Sequence, residues 1–197
     1  MIELLGNLKN PKVLVIGVFH GDEPQGDFLI REYLKFNKHT NLLMIPCLNE
    51  YGFVHSSRVN SNSVDLNRNF PTKNWKLSEK NEFFGGDEPA SEEETIFLMD
   101  VINKYAPSAI LTLHAPFKVV NYDGNAELLA EKISKIINYP VEKNIGYPTP
   151  GSFGTWAGIE QRIPTITLEL DEETDVKELV EPVFNVFKML EEINGKD

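Results

Sequence analysis

The stretch "KVLVIGVFHGDEPQG" (12–26) contains the transition that decides the fold. Its first half, Val13 to Phe19, is a continuous apolar run rich in β-branched residues, which is typical of a strand covered on both faces of a sheet. A glycine then breaks the run, and apolar residues recur at helical spacing over the segment 23–36. The stretch therefore predicts a buried strand, a turn and a helix in direct succession.

The rest of the chain repeats this alternation of strand and helix. Further strands are predicted at 41–48, 108–114 and 163–170, and further helices at 91–106, 125–139 and 176–194. The helix over 91–106 begins with Ser91 and Glu94 at the spacing of a capping box. Strands separated by helices predict an α/β fold, a single domain over 1–197 with a mostly parallel mixed sheet and helices on both faces.

Composition and charge exclude several classes of protein. The chain has 197 residues, 41% of them hydrophobic and 25% charged, which is ordinary for a globular protein. Its net charge of −11 argues against nucleic acid and anionic membranes as partners, because both would repel it. No run of residues is long and apolar enough to predict a membrane span.

Two features predict a cytoplasmic protein. Cys47 is the single cysteine, so an internal disulfide is excluded and a reducing compartment is favoured. Its apolar surroundings predict a buried thiol. The N-terminal segment has neither a basic region before its apolar run nor a small-residue cleavage site, so no signal peptide is predicted.

Polar side chains stand at the predicted ends of three strands. His20 and Glu23 follow the first strand, His114 ends another, and Glu169 lies in the acidic end of a third. Ligands of open α/β sheets bind outside the carboxyl ends of parallel strands, so these groups are expected to converge. Each of them has an ordinary structural alternative, as a capped turn, a hydrogen-bonded histidine or a solvated acid. The remaining histidines, His39 and His55, are predicted to be solvated.

Two imidazoles and one carboxylate, with water in the fourth position, form the ligand set of hydrolytic zinc sites. Zinc lowers the pKa of its bound water to about 7 and polarises a carbonyl group. A further carboxylate is then needed to carry the proton of the water to the leaving amine, and Glu169 is the candidate.

The segment "SSRVNSNSVDLNRNFPTKNW" (56–75) contains two arginines among many asparagines. Arg58 and Arg68 suggest an anion pocket, because a guanidinium group pairs with a carboxylate through two hydrogen bonds. A polar surface loop with solvated arginines is the alternative. The whole stretch 49–90 lacks clear periodicity, and a loop of that length usually serves a site.

Five motifs together resemble the zinc carboxypeptidase family, and within it the murein peptide amidases. They are "HGDE", "VDLNRNF", "LTLH", "YPTPGSFGTW" and "ITLEL", and they occur in the order of the family between about residues 15 and 171. The murein peptide amidases cleave the γ-D-glutamyl–diaminopimelate bond of cell-wall peptides. The resemblance implies the fold of the zinc carboxypeptidases and a small peptide substrate.

The resemblance also implies roles for the matching residues. One Zn²⁺ per chain would be bound by His20, Glu23 and His114. Glu169 would act as general base and then as general acid, and Arg58 would stabilise the oxyanion of the tetrahedral intermediate.

Three further residues match positions that bind substrate in this family. Asn67 and Arg68 would bind the free carboxylate of the residue beyond the scissile bond. Tyr147 would close over the bound peptide, with packing of the loop as its alternative role.

Two other functions stay open from the sequence. The first is an amidohydrolase acting on N-acyl amino acids, similar to succinylglutamate desuccinylase or aspartoacylase. The second is a binding protein that keeps the fold but holds no metal. The scissile bond, the oligomeric state and the behaviour of the loops 72–90 and 115–123 cannot be predicted from the spacing of residues.

Overall fold

A computed structural model describes residues 1–143, 146 and 148–193. Seven strands of this part of the chain form one sheet. In chain order they are β1 (Leu5–Gly6), β2 (Val13–Ile16), β3 (Leu43–Ile45), β4 (Ala109–His114), β5 (Phe117–Asp123), β6 (Val141–Glu142) and β7 (Thr165–Asp171). Their order across the sheet is β1-β3-β2-β4-β7-β5-β6. The sheet is mixed, because β1 pairs with β3 and β5 pairs with β7 in the antiparallel sense, whereas the other pairs are parallel.

Helices connect most of these strands. They are α1 (Gln25–Phe36), α2 (Glu50–His55), α3 (Glu93–Tyr105), α4 (Glu127–Ile137) and α5 (Val180–Glu191). A short 3₁₀ helix (Leu66–Arg68) and a π-helix (Thr155–Glu160) lie in the longer connections. The predicted α/β class and the four strands and four helices named from the sequence are confirmed, with ends that differ by a few residues.

Both faces of the sheet are covered, as predicted. On one face, buried side chains of α1, α4 and α5 pack against β2, β4 and β7, with Leu29, Ile133 and Val186 as examples. On the other face, α3 and the π-helix pack against β2, β3 and β4 through residues that include Leu98 and Trp156. Alternate residues of each strand therefore enter two different cores, which is why these strands are apolar throughout.

The register of the sheet brings the ends of two distant strands together. β4 and β7 are parallel and pair Leu113 with Leu168 and His114 with Glu169. β5 then runs back along β7, with Val119 opposite Glu169. A site at this edge can therefore draw side chains from three adjacent strands.

One sequence prediction needs correction. The capping box of α3 is wrong: Glu92 occupies the N-cap without a side-chain hydrogen bond to the helix, and the Ser91 hydroxyl donates to the Glu92 carboxylate instead. As predicted, Glu169 lies near the end of its strand, β7. β5 and α2 also form in segments for which the sequence predicted no element.

Other predictions from the sequence are confirmed. Cys47 is buried, and His39 and His55 are exposed. Across residues 1–143, 146 and 148–193, no helix has both the length and the apolar character that crossing a membrane requires.

Candidate metal centre

His20 reaches the site through an unusual bend after β2. Val18 has a φ of 49°, a left-handed conformation that a β-branched residue rarely adopts. The Val18 carbonyl accepts a hydrogen bond from the Asn49 amide at 3.0 Å, which holds this conformation. Gly21 allows the close approach of α2, because a Cβ at Gly21 would lie 1.8 Å from the carbonyl carbon of Gly52. Local backbone strain is therefore present where the chain turns His20 toward β4.

His20, Glu23 and His114 form one cluster. Each offers a ligand atom, and these atoms lie within 4.8 Å of one another. Nδ1 of His20 lies 2.8 Å from Oε1 of Glu23, and Nδ1 of His114 lies 2.9 Å from Oε2 of the same carboxylate. The two histidines come from the turn after β2 and from the end of β4, and Glu23 lies two residues before α1. Two imidazole nitrogens and a carboxylate match the donor set of a catalytic zinc site, so these residues fit the metal.

Asp65 orients the first of these ligands. Nε2 of His20 donates to Oδ1 of Asp65 at 3.1 Å, and Arg58 donates to Oδ2 through Nε at 3.1 Å and Nη2 at 2.9 Å. Asp65 is fully buried. A carboxylate on the far nitrogen fixes the tautomer of a ligating histidine and makes its other nitrogen more basic. The sequence analysis missed this role, although Asp65 stands in the "VDLNRNF" motif.

The charges of the cluster favour a cation. Burial would raise the pKa of Glu23, but the charges and hydrogen bonds of His20 and His114 hold it well below its usual range. The pKa of Asp65 is also held low, against burial, by His20 and Arg58. Burial opposes protonation of His20, yet Asp65 and Glu23 raise its pKa to about 9. Burial lowers the pKa of His114. Two ionised carboxylates therefore face a proton on His20, which a metal cation could replace.

Glu169 lies beside this cluster without a strong partner of its own. It is buried, and its Oε2 atom has no hydrogen-bond partner among the residues that the structure describes. Burial, and then the negative charge of Glu23, raise the pKa of Glu169 to about 8. A carboxyl group with a raised pKa can both accept and return a proton near neutral pH.

Asn67 and Arg68 are presented by the 3₁₀ helix. Oδ1 of Asn67 accepts a hydrogen bond from the Phe153 amide at 2.9 Å, which leaves the NH₂ group of that side chain for a ligand. Nη1 of Arg68 donates to the Asn67 carbonyl at 2.7 Å, so the guanidinium is held close to the backbone. Both side chains line the same cavity as the metal cluster.

This cavity has a volume of about 750 Å³, and most of the site residues predicted from the sequence line it. Its lining includes His20, Glu23, Arg58, Asn67, Arg68, His114 and Glu169. Tyr147 lies outside the described residues, whereas Pro148 and Thr149, which follow it, line the cavity. Arg58 is held at the cavity wall by its two hydrogen bonds to Asp65 and by the ring of Phe83, whose centroid lies 5.1 Å from the guanidinium carbon.

Comparison with known proteins identifies the family. The model of the zinc carboxypeptidase family matches residues 4–128, which is more than half of the chain. The chain belongs to the zinc carboxypeptidase family. The metal cluster of this family member is made of residues inside the matched region, and Glu169 lies beyond it.

Murein peptide amidases are among the similar proteins. Murein peptide amidase A of Vibrio campbellii is 32% identical over 183 residues, which cover 82% of this chain and 70% of that protein. Murein peptide amidase A of Escherichia coli K12 is 32% identical over 160 residues, and the match spans 73% of this chain but only 64% of that protein. The crystal structure of murein-tripeptide amidase from Escherichia coli O157 matches with a TM-score of 0.83 and 28% identity, over 98% of this chain and 85% of that one. The predicted zinc-carboxypeptidase fold is thereby confirmed.

Proposed function

We propose that this protein is a zinc-dependent amidase that hydrolyses an amide bond next to a residue with a free carboxylate. The proposed bond is the γ-D-glutamyl–diaminopimelate bond of murein peptides. One observation carries the proposal: the metal-ligand cluster, Glu169 and Arg68 line a single cavity. Such a cavity can activate water, move a proton and hold an anionic substrate terminus at the same time. The similarity to murein peptide amidases supports the choice of substrate.

The proton is carried by Glu169. When bound by His20, Glu23 and His114, zinc would supply Lewis acidity, polarising the scissile carbonyl and acidifying a water. Glu169 accepts the proton of the attacking water and then delivers it to the nitrogen of the leaving amine. Burial raises the pKa of this carboxyl above its usual value, which favours holding the proton between the two steps, and a bound cation would favour the ionised form that accepts it.

Arg58 and the pair Asn67–Arg68 stabilise negative charge at two different points. Arg58 uses Nε and Nη2 on Asp65, and its Nη1 lies at the metal cluster, 3.3 Å from Nδ1 of His20 and 3.7 Å from Oε1 of Glu23. Nη1 is therefore the group that would meet the oxygen that becomes negative in the transition state. Arg68 and the NH₂ group of Asn67 bind the free carboxylate beyond the scissile bond. This contact orients the amide relative to the nucleophile and lowers the entropic cost of reaction. Closure of Tyr147 over the peptide is part of the proposal.

The proposed reaction takes place in the cytoplasm and recycles small cell-wall peptides. The single buried thiol, Cys47, is compatible with a reducing compartment. Nucleic acids and membranes are not proposed as partners, because the chain has a net charge of −11.

A direct assay tests the proposed function. Zinc-loaded protein is incubated with L-Ala-γ-D-Glu-diaminopimelate, with ordinary peptides and with N-acetyl or N-succinyl amino acids, and released amines are separated by chromatography. We expect diaminopimelate release to be fastest. Preferential cleavage of the N-acyl amino acids would instead identify an amidohydrolase of small molecules. Less than one equivalent of zinc after loading, with no turnover of any compound, would identify a binding protein.

A further inference from the structure

Phe83 forms part of the cavity wall beside Arg58. Its side chain is 46% exposed and lies outside the two hydrophobic cores of the described residues, whereas the next residue, Phe84, is buried. The position of the Phe83 ring is therefore set by contacts at the cavity and not by packing in a core.

Hydrogen bonds hold the loop that carries this ring. The Phe83 amide donates to Oδ1 of Asn81 at 2.8 Å, and the Phe84 amide donates to the Asn81 carbonyl at 3.0 Å. The Phe84 carbonyl in turn accepts a hydrogen bond from the Asp65 amide at 2.8 Å. Asp65 therefore anchors this loop with its backbone and Arg58 with its side chain, so the ring and the guanidinium group share one support.

The guanidinium group of Arg58 lies over the ring of Phe83. Its Cζ atom is 5.1 Å from the ring centroid, which is within the range of a cation–π contact. The hydrogen bonds to Asp65 use Nε and Nη2 of the same group. Because one edge and one face of the guanidinium are both in contact, its rotation is restricted, and Nη1 stays 3.3 Å from Nδ1 of His20.

The ring also limits the access of water to this cation. The Arg58 side chain is 19% exposed, so water can still reach part of it. A fixed positive charge stabilises a developing negative charge more strongly where water is excluded, because the effective dielectric constant is lower there. Loss of the ring should therefore weaken the stabilisation that Nη1 provides, although the charge of Arg58 itself would not change.

We infer that Phe83 is a positioning residue, whose ring holds the Arg58 guanidinium in the orientation in which Nη1 meets the oxyanion. The inference rests on the proposed function, in which Arg58 stabilises that oxygen. The oxygen becomes negative only in the transition state, so Phe83 acts on kcat and leaves KM almost unchanged. The ring itself exchanges no proton and forms no bond in the reaction.

The first test separates the ring from its volume. The kcat and KM of zinc-loaded protein are measured on L-Ala-γ-D-Glu-diaminopimelate for Phe83→Leu and Phe83→Tyr. We expect Phe83→Leu to lower kcat by about three- to thirtyfold, as loss of a cation–π contact would, with KM changed less than about twofold. Phe83→Tyr keeps the ring and should keep kcat. Phe36→Leu, at an exposed position at the end of α1, is the matched control and should leave both constants unchanged.

The second test asks whether the ring acts through Arg58. A double-mutant cycle combines Phe83→Leu with Arg58→Ala. In the Arg58→Ala background, Phe83→Leu should change kcat by less than about twofold, because the group that the ring positions is gone. The same loss of kcat in both backgrounds would mean that Phe83 only shapes the cavity wall, and would overturn the inference.

A binding measurement gives a readout without turnover. Calorimetry reports the affinity of a phosphinate analogue of the peptide, whose tetrahedral anion would occupy the place of the oxyanion. We expect Phe83→Leu to weaken its binding by the same factor as kcat, and only when Arg58 is present. Unchanged kcat and unchanged phosphinate affinity in Phe83→Leu would overturn the inference and leave the proposed function standing. Arg58-dependent weakening of phosphinate binding in a protein that cleaves no peptide would support the inference and contradict the proposed function.

Discussion

Nε2 of His20 lies 3.1 Å from Oδ1 of Asp65, and this fully buried contact directs Nδ1 of His20 toward Glu23. The same carboxylate accepts two hydrogen bonds from Arg58. Asp65 thus connects a proposed zinc ligand with the group proposed to stabilise the oxyanion. The orientations of His20 and Arg58 are therefore coupled through one carboxylate.

Replacing this carboxylate should weaken metal binding. In Asp65→Asn the ring of His20 loses its charged partner at Nε2, and the half-buried guanidinium of Arg58 loses its closest counter-ion. We expect zinc affinity to fall by about ten- to a hundredfold, measured by competition with a chromophoric chelator. The exposed acid Asp87, changed to Asn, serves as the control. Unchanged affinity of Asp65→Asn would show that His20 is oriented by other contacts.

Glu169→Gln should separate metal binding from turnover. The amide is nearly the same size as the carboxyl group but cannot take up a proton at neutral pH. We expect the variant to bind one equivalent of zinc, while kcat falls by about 10²- to 10⁴-fold. Metal content and kcat are both measured, with the exposed Glu173→Gln as a matched control. If Glu169→Gln turned over at the wild-type rate, the base would have to be another group.

Arg68→Ala should weaken recognition of the free carboxylate of the substrate. Loss of a bidentate pair removes discrimination between peptides with a free and with an amidated terminus. We expect the ratio of kcat/KM between these two substrates to fall about tenfold or more. Arg68→Lys, which keeps the charge but not the planar pair of donors, should recover only part of the ratio. Equal rates of the wild-type protein on both substrates would refute the role of Arg68.

The metal-free protein should lose stability as the pH rises from 6.5 to 9. The pKa of His20 is raised from 6.5 to about 9, so its proton stabilises the fold fully below 6.5 and is lost above 9. Glu169, with its pKa raised to about 8, adds to the loss because the folded state disfavours its charged form. The loss from His20 is roughly 3 kcal/mol.

Thermal unfolding of chelator-treated protein across this pH range measures the effect. Added zinc should remove this loss of stability at high pH, because the metal takes the place of the proton and binds more tightly as the pH rises. His20→Gln should unfold with a weaker pH dependence, which keeps only the contribution of Glu169 below about pH 8. A melting temperature of the metal-free protein that rises between pH 6.5 and 9 would contradict the assigned protonation.

The alternation of buried strands and amphipathic helices could be read directly from the sequence, because burial on both faces requires uninterrupted apolar residues. The clustering of His20, Glu23 and His114 was also predictable, since strand ends of a parallel sheet converge and the motifs carry residue types that can bind zinc. The capping box at Ser91 was not a reliable signal, because the loop that carries Asn69 uses the same hydroxyl as a hydrogen-bond partner.

Only the tertiary structure decided what surrounds these ligands. β5 pairs with β7 in the antiparallel sense, and the local pattern of its seven residues does not predict which strand it pairs with. The contact of Asp65 with His20 likewise joins residues that are far apart in the chain. Residue type and spacing determine local structure and which side chains could bind a metal. The orientation of each side chain, its burial and the charged groups that it meets arise from long-range packing.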